Sequence, residues 1–138
     1  MIDPLKVSSK ISASGLDVQS HRMRVIAENM ANADSAARTP DEDPYRRKIP
    51  TFHAMLNREL GGVEVTVGAL ATDMSDFSTR YEPGHPAADE NGYVKYPNVN
   101  TLIESMDMRE AQRTYEANLN VVTVSRQMLG RTLDILRG

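Results

Sequence analysis

The side chains most able to do chemistry in this sequence are three histidines, His21, His53 and His85, and a short acidic group near the last of them. No two histidines stand at the short spacings that zinc enzymes use. His85 with Asp89 and Glu90 forms the best cluster, which could bind a divalent cation or supply an acid and a base. No further ligand or catalytic pattern accompanies the cluster, so the sequence favours a polar loop. We therefore predict no catalytic residue, no metal site, no cofactor and no enzyme activity.

Cysteine is absent from the 138 residues, which excludes disulfides, thiolate ligands and cysteine nucleophiles. The 16 Lys and Arg against 19 Asp and Glu give a net charge of -3 without a basic block, so nucleic-acid binding is not predicted. No apolar run suits a transmembrane helix, and the first 20 residues lack the features of a cleaved signal peptide. Aromatic residues make up only 5%, which favours an extended or assembled architecture over a thick globular core.

The beginning of the chain predicts a long helix. Asp3 can accept hydrogen bonds from free backbone N–H groups, and Pro4 suits the first helical position. Residues then recur at alternating spacings of three and four, which is the seam of a coiled coil. A second apolar stripe of Ile11, Val18 and Val25 lies beside this seam. The seam positions are Ile2, Leu5, Ser9, Ser12, Leu16, Gln19, Met23, Ile26 and Met30.

The middle of the chain divides into a linker and a β region. Residues 34–60 lose the helical period and contain three prolines, which predicts a Pro-rich linker. A Tyr-Arg-Arg-Lys patch at residues 45–48 is either a contact for an acidic neighbour or the cell wall, or a solvated loop end. Residues 61–100 contain alternating valines and an Asn91-Gly92 turn that needs a positive φ, which predicts a small β region.

Residues 101–138 predict a second long helix. Thr101 and Glu104 have the spacing of a capping box, in which each side chain binds a backbone N–H near the other. Residues that recur every seven positions predict a coiled-coil seam, and a second apolar stripe lies beside it. The seam sets are Met108, Tyr115, Val122, Leu129 and Leu136, and Ala111, Asn118, Ser125 and Thr132, and the stripe is Ala117, Val121, Val124, Met128 and Ile135.

Both predicted helices therefore have more apolar surface than one pairing covers. The predicted fold is mainly α with a small β insertion, in which helices over 1–33 and 101–138 pair as a coiled coil, joined by the linker and the β region. An uncovered stripe on each helix is a liability for a soluble monomer, so the pattern predicts assembly. The residues that we expect at subunit interfaces are Ile11, Leu16, Val18, Met23, Val25, Ile26, Met30, Tyr115, Val121, Val122, Val124, Met128 and Leu129.

Several stretches of the sequence resemble a known family. Residues 29–33, Asn-Met-Ala-Asn-Ala, are similar to the N-terminal signature of flagellar rod and hook proteins. Residues 81–100, YEPGHPAADENGYVKYPNVN, resemble the central motif of the FlgC family of proximal-rod proteins, and residues 106–118 resemble its C-terminal helix. The likeness thus runs nearly from end to end. The matching motif positions are Asn29, Asn32, His85, Pro86, Asp89, Gly92, Tyr93, Tyr96, Pro97, Asn98 and Asn100.

The resemblance implies a structural subunit of the bacterial flagellar basal body, in the rod that crosses the periplasm. Such subunits form a tubular drive shaft that transmits torque and houses the export channel. The resemblance also implies export through the flagellar type III apparatus without signal cleavage. The expected partners are the second proximal-rod protein, the distal-rod proteins, the adaptor between rod and membrane ring, and further copies of the chain.

Three alternatives stay open at the level of the sequence. Hook and distal-rod proteins share the terminal signatures but usually carry a longer central insertion. A metal-dependent wall hydrolase would use His85, Asp89 and Glu90. A free coiled-coil adaptor would fold as a small oligomer, and it would show more amide protection in its terminal helices than an unassembled rod subunit.

Overall fold

A computed structural model describes residues 3–138, so Ile2, the first position of the predicted seam, lies outside the described residues. The chain forms two long helices, α1 and α2, and the part between them forms short strands that pair antiparallel, β1 with β4, β2 with β3, and β5 with β6. The mainly α fold with a small β insertion is therefore confirmed. The elements are α1 (Pro4–Ala31), β1 (Lys48–Ile49), β2 (Phe52–Asn57), β3 (Gly62–Val67), β4 (Ala71–Thr72), β5 (Ser78–Tyr81), β6 (Tyr93–Tyr96) and α2 (Thr101–Arg137).

Both helices begin at the predicted residues, but only one uses the predicted cap. Asp3 Oδ1 accepts a hydrogen bond from the N–H of Leu5 at 2.9 Å, as expected of a helix cap. At α2 the cap is Asn100, whose Oδ1 accepts from the N–H of Leu102 at 3.0 Å. The predicted capping box is wrong, because the carboxylate of Glu104 is turned to other partners. Neither described helix contains an apolar stretch long enough to cross a membrane.

The predicted linker over residues 34–60 ends earlier than expected, because β1 and β2 both lie inside it. β2 pairs with β3 in continuous register, from Phe52 opposite Val67 to Asn57 opposite Gly62. The strand was missed because Met55 interrupts the alternation of apolar and polar side chains. Its pairing with β3 is what makes it a strand.

The chain divides into two compact units, each assembled from separate segments. Among the described residues, unit 1 contains residues 3–23, Pro50–Ala69 and Arg109–Gly138. Unit 2 contains Arg24–Ile49 and Leu70–Met108. The β2–β3 hairpin therefore belongs to unit 1, and the other two strand pairs belong to unit 2.

In unit 1 the two helices lie against each other in opposite directions. Arg22 pairs with Glu110 at 3.4 Å, and further along, a Cβ added to Gly15 would lie 2.7 Å from Nδ2 of Asn118. As the number on α1 falls, the number on α2 rises, so the helices run antiparallel. The absence of a side chain at Gly15 allows a close approach at this point.

The β2–β3 hairpin packs on another face of α1. Ser14 Oγ accepts a hydrogen bond from the N–H of Val65 at 3.3 Å, and Gly62 lies directly against Ile11. Val18 lies one turn beyond Ser14 on the same face of the helix, and it is buried. The hairpin thus covers the second stripe of α1 at Ile11.

Unit 2 has a small core built around the β5–β6 hairpin. Val94, Tyr96 and Ala87 are buried together, with Ala36, Ala37 and Ala88 packed against them. Gly92 adopts a φ of 86°, as predicted for the turn before β6. Its carbonyl accepts from the N–H of Glu82 at 2.9 Å, which closes the loop between the two strands.

Candidate functional site

The second stripe of α2 is the exposed surface that the sequence predicts for assembly. Val121, Val124 and Met128 keep 42%, 51% and 48% of their surface accessible in the isolated chain. The neighbouring seam positions Ala111 and Ser125 are buried, while Asn118, Tyr115 and Leu129 are half-buried. The heptad pattern therefore separates the inner face of α2 from an outer apolar row, which we call the outer stripe and define as Ala117, Val121, Val124 and Met128.

Four of the predicted interface residues need correction. Val18, Val25, Ile26 and Val122 are buried within the chain itself, so they offer no surface to another subunit. The sequence showed two stripes on α1 but could not show that the hairpin of the same chain packs against Ile11 in one of them. Ile11, Leu16 and Met23 are half-buried, and only Met30 of the α1 set is exposed.

Unit 2 contains a buried polar network centred on Asn29. Its Nδ2 donates to the carbonyl of Lys48 at 2.9 Å and to Glu104 Oε2 at 3.4 Å. Its Oδ1 accepts from the hydroxyl of Tyr45 at 2.8 Å and from the N–H of Lys48 at 2.9 Å. The amide thus uses both donors and both acceptor positions. One side chain fastens the end of α1 to the segment before β1 and to the start of α2.

The buried carboxylate of Glu104 is the second centre of this network. It is fully buried and pairs with the guanidinium of Arg47, which also lies 3.6 Å from Asp73 and 3.7 Å from Asp107. Burial alone would lower the pKa of Arg47, but the hydrogen bond and charge of Glu104 and the two aspartates raise it. The hydrogen bonds from Ser75, with Arg47 nearby, lower the pKa of Asp73. Both shifts favour the charged forms of Arg47 and Asp73.

The Tyr-Arg-Arg-Lys patch is used inside unit 2, contrary to both expectations for it. Tyr45 bonds Asn29, Arg47 pairs with Glu104, and Lys48 pairs with Glu28. Arg46 lies over the ring of Phe77 at 4.0 Å and donates to two backbone carbonyls. Burial, with the charges of Glu28 and Glu104, raises the pKa of Tyr45 to about 12. Sequence reasoning missed this role because the partners are distant along the chain.

The motif at residues 81–100 holds its own loop in place. Asp89 Oδ1 accepts from the N–H groups of Asn91 and Tyr93, both at 2.9 Å, and the rings of Tyr81 and Tyr93 meet edge to face at 5.4 Å. The Tyr96 hydroxyl donates to Glu82 Oε2 at 2.9 Å, and this bond raises the pKa of Tyr96. These motif residues build the β5–β6 loop.

Two asparagines of the same motif connect segments of unit 2. Asn98 Oδ1 accepts from the N–H of Arg47 at 2.8 Å, and its Nδ2 donates to the carbonyls of Asp73 and Ser75. Asn100 caps α2. Pro97, between β6 and these asparagines, is buried. The motif therefore places the start of α2 beside Arg47.

The predicted cluster of His85, Asp89 and Glu90 does not form a metal site in the described chain. His85 Nδ1 accepts from the N–H of Ala87 at 3.0 Å, and Pro86 follows it in the same turn. Asp89 is occupied by the two backbone donors described above. Within residues 3–138, no three metal-binding side chains come together. Asn32, the other motif asparagine, donates to the carbonyl of Glu28 at 2.9 Å and so finishes α1.

The likeness to known proteins covers the whole chain. Residues 90–135 match the family model described as flagellar basal body rod FlgEFG protein C-terminal. A protein of Agrobacterium fabrum, named flagellar basal-body rod protein FlgC, is 52% identical over 99% of this chain and 98% of its own length. This chain belongs to the FlgC family of flagellar basal-body rod proteins. Relatives of the same name from Salmonella typhimurium and Aquifex aeolicus are 40% and 38% identical, over 91% and 90% of this chain and 92% and 91% of their own lengths.

Membership of the FlgC family decides between the alternatives that the sequence left open. The chain is a structural subunit of the flagellar basal-body rod and not an enzyme, so the hydrolase hypothesis is dropped. It resides in the basal body and assembles with other rod subunits. Its length matches that of the FlgC relatives, which leaves no place for the longer insertion of hook and distal-rod proteins.

Proposed function

We propose that the chain is a proximal-rod subunit whose outer stripe on α2 packs against neighbouring subunits. The observation that carries this proposal is the row of Val121, Val124 and Met128, each about half exposed on a helix whose inner face is already covered. Burying the exposed half of each side chain would contribute about 1 kcal/mol. A contact between different surfaces produces an open helical tube when the rotation between neighbours does not close a ring.

The proposed shaft transmits torque through pairs of long helices and encloses the export channel. α1 and α2 pair as an antiparallel coiled coil in this proposal, and the burial of heptad positions Ala111, Val122 and Ser125 supports it. Met30 and the outer stripe would then lie between subunits. The half-buried Ile11, Leu16, Met23, Tyr115 and Leu129 would reinforce the contact from its edges.

The specific partners also belong to the proposal. They are the second proximal-rod protein, the distal-rod proteins, the adaptor between rod and membrane ring, and the flagellar type III export apparatus. The rod segment formed by this chain would cross the periplasm after export without signal cleavage. Membership of the FlgC family supports this placement.

Replacement of the outer stripe by charge tests the function directly. A triple variant with Val121→Asp, Val124→Asp and Met128→Asp should fold but fail to build a rod, because three carboxylates cannot be buried without partners. The measurement is swimming motility and recovery of basal bodies from cells that depend on the variant.

A matched control shifts the same three charges by one residue along α2. Asn120, Thr123 and Gln127 are exposed at the same spacing on an adjacent face, and their replacement by Asp should leave motility intact. Circular dichroism of both purified variants separates an assembly defect from unfolding. Normal motility of the stripe variant would contradict the proposed function.

A further inference from the structure

The β2–β3 hairpin has one face made entirely of apolar side chains. Successive residues of a strand point to opposite faces, and residues opposite each other on paired strands share a face. The register therefore brings three apolar pairs to one side of the hairpin. These pairs are Phe52 with Val67, Ala54 with Val65, and Leu56 with Val63, and we call them the hairpin face.

Near its turn the hairpin meets α1 through the face opposite to the hairpin face. Gly62 lies on the opposite face, and a Cβ added there would meet Ile11 and Val7 of α1. On the hairpin face, Leu56 is 66% exposed and Val63 is 49% exposed. The alternating valines predicted a half-buried strand; Val65 is half-buried, whereas Val67 is 42% exposed. A row of this kind in an otherwise soluble chain indicates a contact surface.

The dimensions and charge of the hairpin face match those of the outer stripe on α2. Phe52 to Leu56 spans about 13 Å at 3.3 Å per residue, and Ala117 to Met128 spans about 17 Å at 1.5 Å per residue. Two paired strands make a surface about as wide as one helix. Neither surface contains a charged residue, so neither calls for a partner of opposite charge.

We propose that the hairpin face receives the outer stripe of α2 from a second copy of this chain. The inference rests on the proposed function, because it assigns the outer stripe to a subunit contact and adds the surface that accepts it. Both surfaces belong to unit 1 and both are exposed within the single chain. A contact between two different surfaces of identical chains leaves one of each free at the ends, so the addition of copies can continue.

Cross-linking between cysteines tests this contact in assembled rods, since the chain has no cysteine of its own. Cells would express two forms together, one with Leu56→Cys and the other with Cys at Val121, Val124 or Met128 in turn. Mild oxidation of purified basal bodies should give a disulfide-linked band at twice the 15.3 kDa chain mass for at least one of the three positions. Testing three successive turns allows for the narrow reach of a disulfide.

Met55 supplies the matched control, because it is 59% exposed and lies on the opposite face of the same strand. Met55→Cys with the same three α2 positions should give no linked band. Leu56→Gln should reduce rod recovery at least tenfold, whereas Met55→Gln should not, and the two variants should melt at the same temperature.

The negative results distinguish an error in the proposed contact between copies from an error in the proposed rod function. A linked band of another mass, or the absence of any Leu56 band together with normal motility of Leu56→Gln, overturns the contact between copies. Neither result affects the proposed rod function, which fails only if the charged outer stripe of α2 leaves motility normal.

Discussion

The two units of this chain differ in the groups that they bury and in the surfaces that they leave exposed. In unit 2 the interior contains a charged pair and an asparagine, and every one of these groups has partners from its own chain. In unit 1 two apolar surfaces, the hairpin face and the outer stripe, remain exposed. Unit 2 is therefore held together by polar partners from its own chain, while unit 1 exposes two apolar rows; single apolar side chains such as Leu102, Ile103 and Met106 are exposed on unit 2 as well.

The polar interior of unit 2 has a physical consequence for its geometry. Apolar side chains tolerate small shifts, but a buried carboxylate is stable only while its hydrogen-bond partners stay in place. Glu104, Arg47 and Asn29 therefore fix the start of α2, the end of α1 and the segment before β1 in one arrangement. The exposed apolar surfaces of unit 1 impose no such restriction within the chain.

The largest expected effect tests the claim that unit 2 depends on its own polar partners. Glu104→Ala leaves Arg47 and Asn29 without their buried acceptor, so it should lower the free energy of unfolding by about 3 kcal/mol. Urea denaturation followed by circular dichroism measures this change. Glu110→Ala removes the exposed partner of Arg22 and should cost less than about 0.5 kcal/mol. Equal losses in the two variants would remove the distinction between the units.

Two valines on α2 test the claim about unit 1 with the residue type held constant. Val122 is buried and Val124 is 51% exposed. Val122→Ala should lower the free energy of unfolding by about 2 kcal/mol through the cavity that it leaves. Val124→Ala should change it by less than about 0.5 kcal/mol. The thermal unfolding of the isolated chain provides the comparison, and a large loss at Val124 would mean that the outer stripe is already covered.

The smallest effect is a pH dependence in unit 2. The neutral phenol of Tyr45 is favoured in the folded chain, where its pKa is about 12, against the ordinary value of 10.0. Its contribution to stability is therefore complete below pH 10 and is lost as the pH rises from 10 to 12. Tyr45→Phe should cost about 1 kcal/mol at pH 8, through the lost bond to Asn29.

The stability of Tyr45→Phe should approach that of the unmodified chain between pH 10 and pH 12. Urea unfolding at intervals of one pH unit measures the difference in free energy of unfolding between the two proteins. All other groups are common to the two proteins, so their effects cancel in the difference. If this difference in free energy of unfolding stayed constant up to pH 12, Tyr45 would not be part of the network.

The sequence predicted the parts of the fold that depend on local pattern. Asp3 and Pro4 marked the start of α1, the heptads of α2 identified the buried Ala111, Val122 and Ser125 but not the exposed Thr132 and Leu136, and Gly92 marked a turn of positive φ. Each of these depends on residues within a few positions of one another. The capping box predicted from the local pattern at Glu104 was wrong. Asn100 caps the helix instead, and the carboxylate of Glu104 pairs with Arg47, 57 residues away.

The candidate contact surface was predicted on α2 but not on the hairpin. The stripe of Val121, Val124 and Met128 follows from helical spacing alone. The outward direction of Leu56 and Val63 depends on which side of the hairpin meets α1, and that is decided by Gly62 against Ile11. A period of two identifies the faces of a strand but does not say which one is buried.

The discontinuous make-up of the two units has a consequence for the order in which the chain can fold. Unit 2 needs residues up to Met108, and unit 1 needs residues from Arg109 onward. A growing polypeptide therefore completes neither unit during its first hundred residues, since the contacts that close them join distant parts of the chain. Both units therefore close late in synthesis, unit 2 after Met108 and unit 1 only with the last segment of the chain.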